Sequence, residues 1–179
     1  MKIIAIRHGE TATNAAGLIT GWNDEDLTAK GIGQAQEAAK ALKAEFALIV
    51  SSPLMRAKHT AEIIAAAHPC EVVLDPNLRE RNFGRLNGKT WEEIETDTGK
   101  PMRSIDIEQM AYDYRPWGGE CVAEVTARVR EFLRQAQEID GGRDLVAVTH
   151  GGIIKLLYSM LAHAERRPIG NCSMHEFTL

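Results

Sequence analysis

Short apolar runs alternate with longer segments of helical periodicity, and this order restricts the fold more than any other feature of the chain. Residues 2–6 form an apolar run that stops abruptly at Arg7-His8-Gly9. Further strand-like runs fill 47–51, 71–75 and 144–149, and a last one lies near 173–178. Between them, Thr28 is placed to cap a helix reaching about residue 45, with Ala35, Ala38, Ala39 and Leu42 on one face. Ser52-Pro53 reads as a cap followed by a first-turn proline, for a helix running to about Ala67. Val122, Val125, Val129, Phe132, Leu133 and Ala136 make an apolar stripe that Asp140-Gly141-Gly142 is expected to end. A further helix follows His150 and runs through about Leu161. Residues 10–27 read as a loop. Residues 76–120 read as irregular, with a helix near 91–97 and a break at Gly118-Gly119. Apolar strands joined by helical crossovers predict an α/β sandwich around a mainly parallel sheet.

Composition narrows the class. The 179 residues suit one domain spanning 1–179. Hydrophobic residues make up 44% and charged residues 26%, which excludes a disordered or collagen-like chain. No apolar run approaches the ~18–20 residues of a membrane-spanning helix. The first residues are too briefly apolar for a secretory leader, so a cytoplasmic protein without membrane partners is expected. Lys and Arg number 21 against 25 Asp and Glu, for a net charge of −4. This balance, without a basic stripe, argues against a nucleic-acid partner. Cys70, Cys121 and Cys172 form no CxxC pair and are expected to be buried thiols rather than zinc ligands or a disulfide framework.

In open α/β sheets, ligands bind beyond the carboxyl ends of the strands. Three of the runs end in chemically capable groups. The first gives Arg7 and His8. The second gives Ser51, Ser52 and, one helical turn later, Arg56. The fourth gives His150. Two guanidiniums and two imidazoles at one sheet edge form a pocket for a dianion, because guanidinium forks match phosphate oxygens. Gly9, Gly151 and Gly152 allow close backbone approach. The helix after His150 adds its positive end. His59, His68, His163 and His175 lack the pairing of a metal site and are read as structural.

The segments RHGETATN (7–14), TGWNDEDLTAKGIGQAQ (20–36), SSPLMRAKHTAEII (51–64), LRERNFGRLNGKTWEEI (78–94), GGE (118–120) and VTHGG (148–152) together resemble the histidine phosphatase superfamily, also called the phosphoglycerate mutase-like family. The resemblance implies a phosphoryl-accepting nucleophile at His8, a phosphoryl clamp of Arg7, Arg56 and His150, and a general acid at Glu80. It places Asn14 against the phosphate, Thr20 and Gly21 against the substrate, and Gly151 beside the clamp. Chemically, His8 must attack as neutral imidazole, His150 is expected protonated, and Glu80 must start protonated, helped by a nearby dianionic phosphate that raises its pKa. No metal or cofactor is implied.

The implied fold is a three-layer α/β/α sandwich whose mixed sheet has an antiparallel fifth strand. The family's sixth edge strand has no counterpart before Leu179. An open edge there would call for a short strand or a covering neighbour, as in a homodimer. WGGEC stands where many phosphatase members have PGES, placing Cys121 in a serine position near the pocket. Only about forty residues separate Glu80 from Glu120, a short connection that favours a phosphatase acting on a small phosphorylated metabolite over a cofactor-dependent phosphoglycerate mutase. A phospho-ligand-binding pseudophosphatase is the alternative from another class; it would need neither His8 nor Glu80. Segment 98–119 is expected to shape substrate choice, with Met102, Met110, Tyr112, Tyr114 and Trp117 available either to the pocket or to the core.

Overall fold

The computed structural model describes residues 1–138, 143–161 and 167–179. β1 (Lys2–Arg7) and β4 (Leu145–Thr149) run parallel, with Ile3 opposite Leu145 and Arg7 opposite Thr149. β2 (Ile49–Ser51) pairs parallel with β4, and β3 (Val72–Leu74) parallel with β2. β5 (Met174–Thr178) runs antiparallel to β1, with Ile6 opposite Met174. The order across this mixed sheet is β3-β2-β4-β1-β5.

Alternation along each strand builds two cores. Ile3, Ala5, Val50, Leu145 and Ala147 face one side, where they join Val125, Val129 and Phe132 of α6 (Val122–Glu138) and Ile153, Ile154 and Leu157 of α7 (Gly151–Met160). Ile4, Ile6, Ile49, Val146 and Val148 face the other side, against Ala39 of α2 (Ala29–Ala41) and Ala57, Ala61 and Ile64 of α3 (Met55–Ala67). Successive side chains point to opposite faces, so strands apolar at every position require a helical layer on each side. The result is the expected α/β/α sandwich.

The local signals hold unevenly. Thr28 caps α2 by accepting from Gly31 N at 3.0 Å, but the helix ends at Ala41, short of residue 45. The helix near 91–97 is α4 (Trp91–Thr98), closed at its start by a reciprocal Thr90–Glu93 capping box and at its end by Gly99 in the left-handed region. Ser52 does not cap α3. That helix begins at Met55 after Leu54, with no side-chain cap; Ser52 Oγ accepts from Leu54 N, before the helix, and lies 2.9 Å from His150 Nε2. Two short helices arise where none was expected: α1 (Ala12–Ala15), capped by Thr11, and α5 (Met102–Ile107). β3 is an edge strand rather than a buried one, with Val73 38% and Leu74 44% exposed. The expected helix stop at Asp140-Gly141-Gly142 and the reading of His163 lie outside the described residues. Among the described residues, no helix is long and apolar enough to cross a membrane.

Candidate active site

The carboxyl ends of β1, β2 and β4 converge as the strand order requires. Arg7 ends β1, and His8 continues its ladder by donating its backbone N–H to Thr149 O at 2.9 Å. Gly9 then turns tightly against the start of α2. A Cβ there would strike the backbone of Gly31, so both glycines serve one close approach.

The His8 imidazole is buried. Its Nδ1 lies 2.7 Å from Gly9 O, a contact only an Nδ1–H can make as donor. Nε2 is left with its lone pair, which accepts from Arg56 Nε at 3.3 Å. Burial, then the charges of Arg56 and Arg7, push the His8 pKa well below its ordinary 6.5. The ring is therefore neutral with a nucleophilic Nε2.

Arg56 is 0% exposed. Its Nη1 donates to Asn23 O at 2.9 Å and its Nη2 to Gly21 O at 2.7 Å. Residues 21–23 thus fix the fork and leave it second N–H groups to offer. Arg7 is anchored by Nη1 on Ile169 O at 2.9 Å, while its Nε is buried without a protein acceptor.

The His150 ring lies 5.1 Å from that of His8, centroid to centroid. Its Nε2 is 2.9 Å from Ser52 Oγ, and its Nδ1 is buried without a partner. Burial, followed by the charges of Arg56, His8, Arg128 and Arg7, pushes its pKa well below 6.5. In the free protein, burial beside guanidiniums favours the neutral ring over the protonated clamp expected from sequence.

Glu80 is positioned by two backbone donors. Oε2 accepts from Gly152 N at 3.0 Å and Oε1 from Arg81 N at 2.9 Å. A Cβ on Gly152 would collide with this carboxylate and with Arg81, so the first turn of α7 needs glycine there. Burial alone would raise the Glu80 pKa. Arg81, the two N–H donors and Arg56 outweigh it and hold the group below its ordinary value. In the free protein this favours the carboxylate.

A cavity of about 140 Å³ is lined by Arg7, His8, Asn14, Thr20, Gly21, Arg56, Glu80 and Gly151, together with Leu18, Ile19, Arg81 and Phe83. Every residue to which the family resemblance gives a role lies on it except His150, which sits fully buried beside His8; Ser51, Ser52, Gly9 and Gly152 do not line it. Asn14 is held by Asn171, whose Nδ2 donates to its Oδ1 at 3.1 Å. Met102, Tyr112 and Tyr114 belong to the core, with Met110 and Trp117 packed against it, and none of the five lines this cavity. Cys121 does not line it either; its backbone N–H donates to Glu124. His59 meets Asp26, His68 meets Ala39 O, and His175 meets Tyr158 and Ser173. Among the described residues, no group of three or more His, Cys, Asp or Glu is placed to hold a metal ion.

Three supporting residues were not singled out from sequence. Arg81 pairs with buried Asp106 at 2.6 Å, and Tyr114 donates to the same carboxylate at 2.7 Å. Within the charged run LRERNFGR nothing distinguishes Arg81 from a solvated side chain. Trp22 Nε1 donates to Glu80 O at 2.6 Å. Arg128 donates to Asn77 O, Arg79 O and Glu80 O at 2.7, 2.6 and 3.0 Å, and to both oxygens of Glu120. Its signal was present: position 128 falls on the Val125–Val129–Phe132 stripe, where a charge has to find buried partners.

A cationic cavity at the carboxyl edge of an α/β sheet, with a neutral histidine on its wall and a carboxylate facing it, is what the ordered motifs imply. The family model of the histidine phosphatase superfamily (branch 1) matches residues 3–179. The chain belongs to this superfamily. It is 33% identical over 168 residues to a 2,3-bisphosphoglycerate-dependent phosphoglycerate mutase of Beijerinckia indica, covering 89% of this chain and 80% of that protein. It is 35% identical over 167 residues to a metal-independent phosphoserine phosphatase of Arabidopsis thaliana, covering 92% and 70%. A mycobacterial glucosyl-3-phosphoglycerate phosphatase, solved in complex with VO3, superposes with a TM-score of 0.82 at 28% identity, covering 98% of this chain and 91% of that one. Histidine phosphatase relatives of this chain thus include both phosphatases and a mutase.

Proposed function

We propose that this histidine phosphatase hydrolyses small phosphomonoesters without a metal, through a phosphohistidine on Nε2 of His8. The observation that carries the reading is the His8 ring itself. Nδ1 is committed to Gly9 O, and Nε2 is a neutral lone pair on the wall of a cavity that Arg7 and Arg56 make positive.

In the first step the Nε2–P bond forms and the ester P–O bond breaks. Charge spread over the phosphoryl oxygens is offset by Arg7 Nε, the free N–H groups of Arg56 and the start of α7. The leaving oxygen takes a proton from Glu80. Since that group is a carboxylate in the free protein, the proton arrives with the substrate: a bound phosphate dianion beside Glu80 raises its affinity for one. In the second step Glu80 takes a proton from water, the water oxygen attacks phosphorus, and the Nε2–P bond breaks to release phosphate. Both steps use the same carboxylate, once as acid and once as base.

The mutase reading differs in the acceptor, a hydroxyl of bound phosphoglycerate in place of water. The similarity to the Beijerinckia mutase supports it. The short segment between Glu80 and Glu120, and the similarity to the phosphoserine and glucosyl-3-phosphoglycerate phosphatases, support hydrolysis. The deciding experiment incubates the protein with 3-phosphoglycerate and a catalytic amount of bisphosphoglycerate in EDTA, beside a panel including phosphoserine and p-nitrophenyl phosphate. The expected product is free phosphate, undiminished by the chelator. Isomer forming faster than phosphate would establish the mutase. Loss of turnover in EDTA that a divalent ion restores would end the metal-free mechanism.

A further inference from the structure

His150 and Ser52 meet where β4 and β2 end, and neither residue touches solvent. Three facts limit how their protons are arranged. Ser52 Oγ lies 2.9 Å from His150 Nε2. The same oxygen accepts from Leu54 N at 3.3 Å. His150 Nδ1 is buried with no partner. A neutral imidazole carries one N–H and one lone pair.

If Nε2 carried the proton, Ser52 Oγ would accept two hydrogen bonds and its own buried O–H would have no acceptor. If Nδ1 carries it, Ser52 donates to Nε2 while accepting from Leu54, and every group on the Ser52 side is satisfied. The Nε2–H form leaves two buried groups unpaired, the Ser52 hydroxyl and the Nδ1 lone pair, whereas the Nδ1–H form leaves only the Nδ1–H. Unpaired buried polar groups are costly, which favours the Nδ1–H tautomer. The His8 ring lies beside it at 5.1 Å, and no protein acceptor reaches Nδ1. An Nδ1–H there has a hydrogen bond to give to a bound anion.

We infer that Ser52 is a positioning residue that fixes His150 as its Nδ1–H tautomer, giving the phosphoryl site a neutral hydrogen-bond donor rather than a third cation. The inference rests on the proposed phosphoryl chemistry for its purpose but not for its geometry.

The test is ¹⁵N NMR of histidine-labelled protein, with the His150 signals identified by their loss in His150→Gln. In the wild type, Nε2 is expected at the shift of an unprotonated ring nitrogen and Nδ1 at that of a protonated one, with Nδ1–H moving when inorganic phosphate is added. Ser52→Ala should convert His150 to a mixture of tautomers and weaken phosphate about tenfold, within the range for a hydrogen bond to a charged group. Ser52→Thr, which keeps the hydroxyl, should retain the wild-type tautomer. A wild-type His150 protonated at Nε2 overturns the inference whatever the variants do, as does a Ser52→Ala protein with unchanged tautomer and phosphate affinity. Turnover separates this from the mechanism. A correct tautomer in a protein that forms no phosphohistidine would refute the catalytic reading alone, and a working enzyme with Nε2–H would refute the inference alone.

Discussion

Arg56 Nε lies 3.3 Å from His8 Nε2, so the nitrogen proposed to attack phosphorus is already faced by a guanidinium. The contact does two things. It stabilises the lone pair on Nε2 and disfavours a proton there, and it sets the fork where the phosphoryl oxygens will arrive. Arg56 is in turn fixed by the carbonyls of Gly21 and Asn23, so the geometry is built before any ligand enters.

Replacing Arg56 by Lys should therefore be severe although charge is retained. An ammonium cannot reach Nε2, two carbonyls and a phosphoryl oxygen together. The expected loss in kcat/KM is ~10²–10³-fold, the range for removing one preorganised donor to transition-state charge. Steady-state kinetics with p-nitrophenyl phosphate measure it. A loss below about threefold would show that charge alone suffices at this position.

Stability should fall on mild acidification. His8 and His150 are held neutral by burial beside arginines, so their folded pKa values lie below the ordinary 6.5. Below that value the unfolded chain binds protons that the folded one refuses, and ∂ΔG/∂pH is positive. Stability is thus fully present above 6.5 and declines as pH drops through it. Glu80, also lowered, adds a loss of the same sign below its ordinary 4.5. Thermal unfolding between pH ~7.5 and ~5.5 should show this slope, and His8→Gln with His150→Gln should flatten it. Equal slopes in the two proteins would place the sensitivity elsewhere.

Arg128 touches no cavity wall, yet it binds three carbonyls of the segment carrying Glu80. Arg128→Met removes this donor from the Asn77 and Arg79 carbonyls, and leaves Glu80 O to Trp22 and Glu120 to Asn82 N. It should cost roughly 2–4 kcal/mol of stability and lower kcat more than it raises KM, because Glu80 loses its placement while the phosphoryl clamp remains. Urea denaturation and kinetics on the same protein check both halves. A stability loss with kcat unchanged would mean that Glu80 is held sufficiently by Gly152 and Arg81.

Glu80→Gln keeps size and part of the hydrogen bonding but removes the proton. For an alkyl phosphate, phosphoenzyme formation should slow ~10²–10⁴-fold. For p-nitrophenyl phosphate, whose leaving group is stable unprotonated, the first step should slow by less than about tenfold. Single-turnover comparison of the two substrates is the measurement. Equal slowing would make Glu80 a structural residue or one that positions water.

The sheet and its arginine- and histidine-bearing edge are legible in the sequence because both depend on local pattern. Apolar runs such as 144–149 must be buried, and a parallel order brings their carboxyl ends, with Arg7, His8 and His150, to one side. What escaped depends on contacts far apart in the chain. Ser52 has the local signature of a helix cap, but a partner 98 residues away claims its hydroxyl. β3 reads like the other strands, and only the sheet order makes it an edge. The neutral state of the free His150 ring follows from burial beside neighbours such as Arg56 and Arg128, which no single motif brings together.

The central claim is that His8 Nε2 accepts the phosphoryl group. Rapid acid-free quenching during turnover of p-nitrophenyl phosphate, followed by mass spectrometry of the intact protein and its peptides, tests it directly. The account predicts one acid-labile phosphoryl group on the peptide containing His8, formed as fast as nitrophenolate is released and absent in His8→Ala. Turnover with no labelled protein, or a phosphoryl group that persists in His8→Ala, would contradict it.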